Sequence, residues 1–126
     1  GVALVFISHD LSVVRHIADR VAVMYLGRLA ETGPVETIFD NTAHPYTLAL
    51  LSASPALGSE ERGGLARRTI LQGEPPSPAN PPSGCRFHPR CPMAESICAN
   101  TIPFLRVPRT STDAEHFSAC HFAENV

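Results

Sequence analysis

An unbroken apolar run, Val2-Ala3-Leu4-Val5-Phe6-Ile7, stops at Ser8-His9-Asp10. With no polar face and several β-branched members, such a run predicts a strand covered on both sides in a largely parallel sheet, not one lying at a solvated surface. Ligands of such sheets gather beyond the carboxyl ends of the strands. His9 stands at that end and is the first candidate site residue. The plainer reading is a polar residue that closes a strand.

Beyond it, Leu11, Val14, Ala18 and Val21 are spaced like one face of a helix, with Asp10 as its N-cap. Val21-Ala22-Val23-Met24-Tyr25 and Leu29-Ala30-Glu31 predict two strands around a turn at Gly27-Arg28, ended by Gly33-Pro34. The order is strand, helix, hairpin. The stretch from Val5 to Gly33, VFISHDLSVVRHIADRVAVMYLGRLAETG, resembles the end of the nucleotide-binding domain of ABC transporter ATPases. In that resemblance Ser8-His9-Asp10 matches the switch loop, and His9 its histidine.

Pro34 is expected at the first position of a helix continuing through Phe39, and Pro45 opens a second helix over Thr47-Leu48-Ala49-Leu50-Leu51. His44 and Tyr46 are read as packing and turn residues, since an X-Pro step mainly fixes local backbone shape. The segment HPYTLALL nevertheless resembles the one that follows the ATPase core in subunits powering oligopeptide and dipeptide importers. The later NPPSGCRFHPRCP resembles the cysteine-containing tail of the same group.

A chain of 126 residues is the size of one ordinary domain, yet this one starts with Gly1 inside an apolar run. We expect a C-terminal piece of a longer chain. It contains no Gly-rich phosphate loop ending in Lys-Ser or Lys-Thr, no LSGGQ-type signature and no acidic pair to place magnesium and water. ATP hydrolysis is therefore expected of the intact subunit and not of this chain alone. The formal net charge is −2 and Arg67-Arg68 is a doublet without aromatic partners, which argues against nucleic acid as a partner. The longest apolar run falls short of the roughly 20 residues a membrane-spanning helix needs.

Between Ser52 and Gly84, 16 of 33 residues are Pro, Gly or Ser, so a linker is expected, extended where Glu74 to Gly84 is proline-rich. Leu57 to Ala66 is expected to be a surface loop, and Arg68 to Leu71 a short strand. The expected organisation is 1–33, the end of a nucleotide-binding domain; 34–56, a helical segment; 57–84, the linker; and 85–126, a metal-binding tail. The fold class is α/β: the C-terminal part of a P-loop nucleotide-binding domain with a small irregular tail.

All four cysteines, Cys85, Cys91, Cys98 and Cys120, fall in that tail, separated by five, six and twenty-one residues. A short proline-rich segment with few apolar residues is marginal without a staple. Two disulfides, a zinc ion or an iron–sulfur cluster would serve. Structural zinc sites usually draw ligands in close pairs, and the intervals here are wider; a four-iron four-sulfur cluster also takes four thiolates, and Cys91-Pro92 has the form that ends ferredoxin ligand runs. Spacing alone leaves cluster and zinc near even. His88 and His121 are read as neighbours of the site, Arg86 and Arg90 as flanking charges, and Phe87, Phe104 and Phe117 as a hydrophobic shell. Met93 to Cys98 is expected to form a helical turn and Pro103 to Pro108 an extended piece.

The resemblance implies more than the residues do. It places this chain in the ATP-binding subunit of an oligopeptide or dipeptide importer, in a reducing cytosol where structural disulfides are rare. It implies a 4Fe-4S cluster on the four cysteines, with zinc as the alternative. It implies that His9 contacts the γ-phosphate of ATP, with magnesium, in the intact subunit. The partners would be a second ATP-binding subunit, two membrane permease subunits and, indirectly, a peptide-binding protein, at the cytoplasmic face of the inner membrane. A competing reading is a small free-standing iron–sulfur or zinc module with a redox or structural role.

Overall fold

The computed structural model describes residues 1–54 and 71–126. The loop expected over Leu57 to Ala66 and most of the strand expected at Arg68 to Leu71 lie outside them.

Helix α1 (Leu11–Ile17) starts where expected: the Asp10 carboxylate accepts from Ser12 N at 3.0 Å and Val13 N at 3.3 Å, filling two of the four donors a helix start leaves open. Strands β1 (Arg20–Tyr25) and β2 (Arg28–Pro34) form an antiparallel hairpin from Arg20↔Pro34 to Tyr25↔Arg28, with a bulge between Val23 and Met24. Its two-residue turn is Leu26-Gly27, one position before the expected one. Both residues have positive φ, 47° and 78°, which matches the twist of the flanking strands. Gly27 adopts this freely, whereas Leu26 carries a steric cost.

Pro34 caps α2 (Val35–Asp40) from outside instead of occupying its first turn, while Pro45 opens α3 (Pro45–Ala53) as expected. Val35, Ile38 and Phe39 of α2 form the core with Leu51 of α3, and Leu11, Val14, Val21 and Val23 pack against it. Burying a side chain of the size of Ile38 or Phe39 stabilises by roughly 1.5–3 kcal/mol. Arg15 ties α1 to α2, its guanidinium 5.5 Å from the Phe39 ring centroid and 3.5 Å from an Asp40 carboxylate oxygen.

The tail folds back on this body. After the proline tract come a 3-10 turn at His88–Arg90, helix α4 (Ser96–Asn100), which begins later than the expected turn, and strand β3 (Phe117–Ser118). β3 pairs antiparallel with β2 through Glu31↔Ser118 and Thr32↔Phe117, giving the sheet order β1-β2-β3. Within Pro103 to Pro108, Arg106 bridges Ser118 on the far side of β3.

The expected strand over Val2 to Ile7 does not form: Val2, Val5 and Ile7 are 98%, 93% and 100% exposed. A strand apolar on both faces needs neighbours on its edges and layers on its faces, and among the described residues no strand pairs with it. The result is a small α/β body with a three-stranded antiparallel sheet, not a parallel one. No helix of the described residues is long and apolar enough to cross a membrane.

Candidate functional site

The four cysteines come together from separate pieces of the tail. Gly84 (φ 63°) lies so close to α4 that a Cβ there would stand 2.3 Å from the Cys98 carbonyl oxygen. That approach lets Cys85 N donate to Cys98 O at 2.7 Å and Ser83 Oγ to Ala99 O at 2.8 Å. The 3-10 turn then carries the chain from Cys85 to Cys91, with His88 N donating to Cys85 O at 3.0 Å and Cys91 N to His88 O at 3.3 Å. Cys120 follows β3, whose neighbour Ala119 donates its N–H to Ala30 O at 2.8 Å. Cys85, Cys91, Cys98 and Cys120 all line one pocket, closed by Phe87 and Phe122. All four are free thiols, Cys98 buried and the others half-buried.

The pocket's electrostatics pull in two directions. Burial, followed by the nearness of the other sulfurs, pushes the Cys85 and Cys91 thiols up, and Cys120 up to about 11. Against that, the N–H groups of Phe87, Met93 and Phe122, each two residues after a cysteine, point to the sulfurs of Cys85, Cys91 and Cys120. Backbone donors aimed at sulfur favour a thiolate, since a neutral thiol is a weak acceptor. A cationic group would reconcile burial with these donors, and a soft all-sulfur set suits zinc or iron–sulfur chemistry. Yet no group of three or more His, Cys, Asp or Glu side chains among the described residues is placed to hold a metal ion. The expected convergence on one centre is thus met only as a shared pocket.

Other tail expectations need correction. Arg86 turns away from the sulfurs and donates from Nη1 to Leu26 O at the hairpin turn. Phe87 is buried at the pocket wall, but Phe104 is 82% exposed and Phe117 sits in β3. His88 and His121 do reach the pocket, each with one ring nitrogen at a backbone carbonyl: Nδ1 to Cys85 O at 2.8 Å and Nε2 to Thr101 O at 2.9 Å.

His44 and Pro45 form the other wall. His44 is the N-cap of α3, its Nδ1 accepting from Tyr46 N at 3.1 Å. Burial pushes its pKa down to about 4, only partly opposed by a hydrogen bond to the Ala119 backbone, so at neutral pH it is the uncharged imidazole a cap requires. Tyr46 joins Tyr25 and Phe87 with ring centroids 4.7 to 5.4 Å apart. The packing and turn roles expected for His44 and Tyr46 are the ones seen.

His9 stands elsewhere, exposed at the N-terminal edge of α1 beside Asp10. The thiol pocket draws its lining from His44 onward. Sequence reasoning missed Gly84, Glu31 and His116. A glycine between a proline tract and a cysteine was the available signal for Gly84; nothing marked the other two.

Residues 30–98 match the family model described as the oligopeptide/dipeptide transporter, C-terminal region. An oligopeptide transport ATP-binding protein of Bacillus subtilis is 55% identical over 117 residues, 92% of this chain and 34% of that protein. A putative peptide import ATP-binding protein of Brucella ovis is 52% identical over 120 residues, 95% of this chain and 36% of its own length. A di/tripeptide transport ATP-binding protein of Pseudomonas aeruginosa is 51% identical over 122 residues, 97% of this chain and 35% of its own. The chain therefore spans about a third of the length of these curated relatives. Hairpin and tail match together, which leaves the free-standing metal or redox module without support.

Proposed function

We propose, since this chain belongs to the oligopeptide/dipeptide transporter C-terminal region family, that it is the C-terminal part of the ATP-binding subunit of a peptide ABC importer. The observation that carries this reading is the family match from Ala30 to Cys98, which runs from within β2 through the His-Pro-Tyr turn and three of the four cysteines. Residues 1–33 are then the end of the P-loop nucleotide-binding domain. ATP and magnesium are held by the intact subunit, which works with a second ATP-binding subunit, two permease subunits and, indirectly, a peptide-binding protein at the cytoplasmic face of the inner membrane.

In that subunit His9, immediately before the α1 cap, is the group that reaches the γ-phosphate. Its position at a helix edge, exposed and tethered on one side by the Asp10 cap, suits a residue that meets a ligand from another part of the assembly. Phosphoryl transfer is accelerated mainly by positioning and by charge stabilisation. His9→Ala in the intact subunit is accordingly expected to remove most ATP turnover while leaving ATP binding largely intact. Unchanged turnover would take His9 out of the mechanism.

Cys85, Cys91, Cys98 and Cys120 are proposed to hold a 4Fe-4S cluster, with zinc as the alternative. What supports the reading is that all four cysteines line one pocket and that an all-sulfur set suits either group. When bound, such a cluster supplies a charge-compensating, electron-accepting centre. Anaerobically prepared protein should contain iron and sulfide in equal amounts, whereas colourless protein with one equivalent of zinc would favour the alternative.

A further inference from the structure

The thiol pocket has a neighbour. A second cleft opens between the hairpin and the tail, with Tyr25, Arg28 and Leu29 on one side and Ile102 and Pro103 on the other. The two cavities share a wall made of His44, Cys85 and Phe87. Between Cys85 and Phe87 stands Arg86, whose guanidinium donates to Leu26 O, and a Cβ on Gly27 would lie 3.5 Å from the same Nη1. Phe87 meets Tyr25, the last residue of β1, with ring centroids 5.2 Å apart and planes near perpendicular. Three consecutive tail residues thus act in three directions: Cys85 into the thiol pocket, Arg86 onto the hairpin turn, Phe87 against the end of β1.

The turn they hold is the part of the hairpin least able to hold itself. Leu26 has a φ of 47°, a region where a side chain other than Gly, Asn or Asp is sterically penalised. A charged donor on its carbonyl offsets that cost, since hydrogen bonds to charged groups are the stronger ones.

We infer that Arg86 is a positioning residue that couples the thiol pocket to the β1–β2 turn, so that the state of Cys85 is transmitted to the surface cleft beside Arg28 and Leu29. A group seated on the thiols fixes the Cys85 backbone, and with it the direction in which Arg86 and Phe87 leave. Release of the turn, conversely, loosens the loop that carries Cys85. Cys120 is held through Arg106 and β3 and does not depend on Arg86. In naming a group on the thiols the inference rests on the cluster reading above, but the coupling can be tested without any group bound.

The first arm uses the reduced, metal-free chain and iodoacetamide as probe, with alkylation of each cysteine followed by peptide mass spectrometry. Arg86→Gln is expected to speed alkylation of Cys85 by about tenfold relative to Cys120, as one hydrogen bond to a charged group is lost from its loop. Coupling is reciprocal, so amide exchange at Leu26–Arg28 should rise in the same variant. Equal acceleration at all four cysteines would mean only general loosening and would overturn the inference, as would no change at Cys85. In the second arm, iron and sulfide are supplied anaerobically: wild-type exchange at the turn should slow and that of Arg86→Gln should not. Failure to take up iron and sulfide would sink the cluster reading alone, because the first arm still decides the coupling.

Discussion

Glu31 and His116, 85 positions apart, meet at 2.7 Å between Oε1 and Nε2 in a place where neither is more than 1% exposed. The carboxylate is fully used: Oε1 also accepts from Ala43 N at 2.6 Å and Oε2 from Thr42 Oγ1 at 2.9 Å. His116 Nδ1 is 3.0 Å from Ser111 Oγ. One side chain of β2 thereby joins the hairpin, the segment before α3 and the tail.

Glu31→Ala should therefore be among the most damaging single changes in the chain. It strands a buried imidazole, a backbone N–H and a hydroxyl, and leaving a buried polar group without its partner costs about 1–3 kcal/mol. Urea unfolding checks the size, and proteolysis between residues 100 and 126 checks where the damage lies. A loss below about 1 kcal/mol would mean that water replaces the carboxylate.

Gly84→Ala is expected to disperse the thiol pocket while sparing the N-terminal half. The added methyl meets the Cys98 carbonyl at 2.3 Å and Ala99 backbone atoms at 2.7 and 2.8 Å, all of them backbone that has no rotamer to change. The positive φ adds about 1 kcal/mol more. Amide exchange should rise over residues 83–100 and stay near wild type over α1, β1 and α2. Uniform protection in the variant would show that α4 can move aside at little cost.

Some of this was legible in the sequence and some could not be. The Asp10 cap, the hairpin and the Pro45 helix start follow from side-chain chemistry within a few residues, and each was found where expected or one position away. The run over Val2 to Ile7 forms no strand here because a strand apolar on both faces needs neighbours, and among the described residues none pairs with it. Glu31 reads as the polar end of a strand, and a bulge between Val23 and Met24 turns both Ala30 and Glu31 inward. Such a bulge arises from the fit between two strands and leaves no local mark. β3 is two residues long, too short for alternation to show. The cysteines were legible as a set, while their shared pocket depends on Gly84 meeting α4.

His44 makes the body sensitive to mild acid. Its folded pKa, about 4, lies below the ordinary value of 6.5, so the unfolded chain binds the extra proton first. Its contribution is present in full above pH 6.5 and is lost as the pH falls through 4. For a shift of this size the loss is on the order of 3 kcal/mol. His44→Asn keeps a capping side chain and removes the titration. Urea midpoints between pH 7 and 4 should fall steeply in the wild type and more gently in the variant; parallel slopes would remove His44 as the cause.

Glu124 governs a second and lower window. Both its oxygens hold the Arg106 guanidinium, with Nη2 at 2.9 Å from Oε2, and Arg109 N donates to Oε1 at 3.1 Å. The Arg106 hydrogen bonds, foremost, bring its pKa down to about 2 from 4.5. The carboxylate's support is complete above pH 4.5 and is withdrawn as the pH drops through 2. Arg106 also donates to Cys120 O at 3.5 Å and bridges β3, so withdrawal should be felt first at Cys120. Acid titration followed by amide exchange should show α3 loosening between pH 6.5 and 4, then residues 106–124 between 4.5 and 2. Glu124→Gln should advance the second step to neutral pH without moving the first, and a single merged transition in that variant would mean that the two ends of the tail are not held independently.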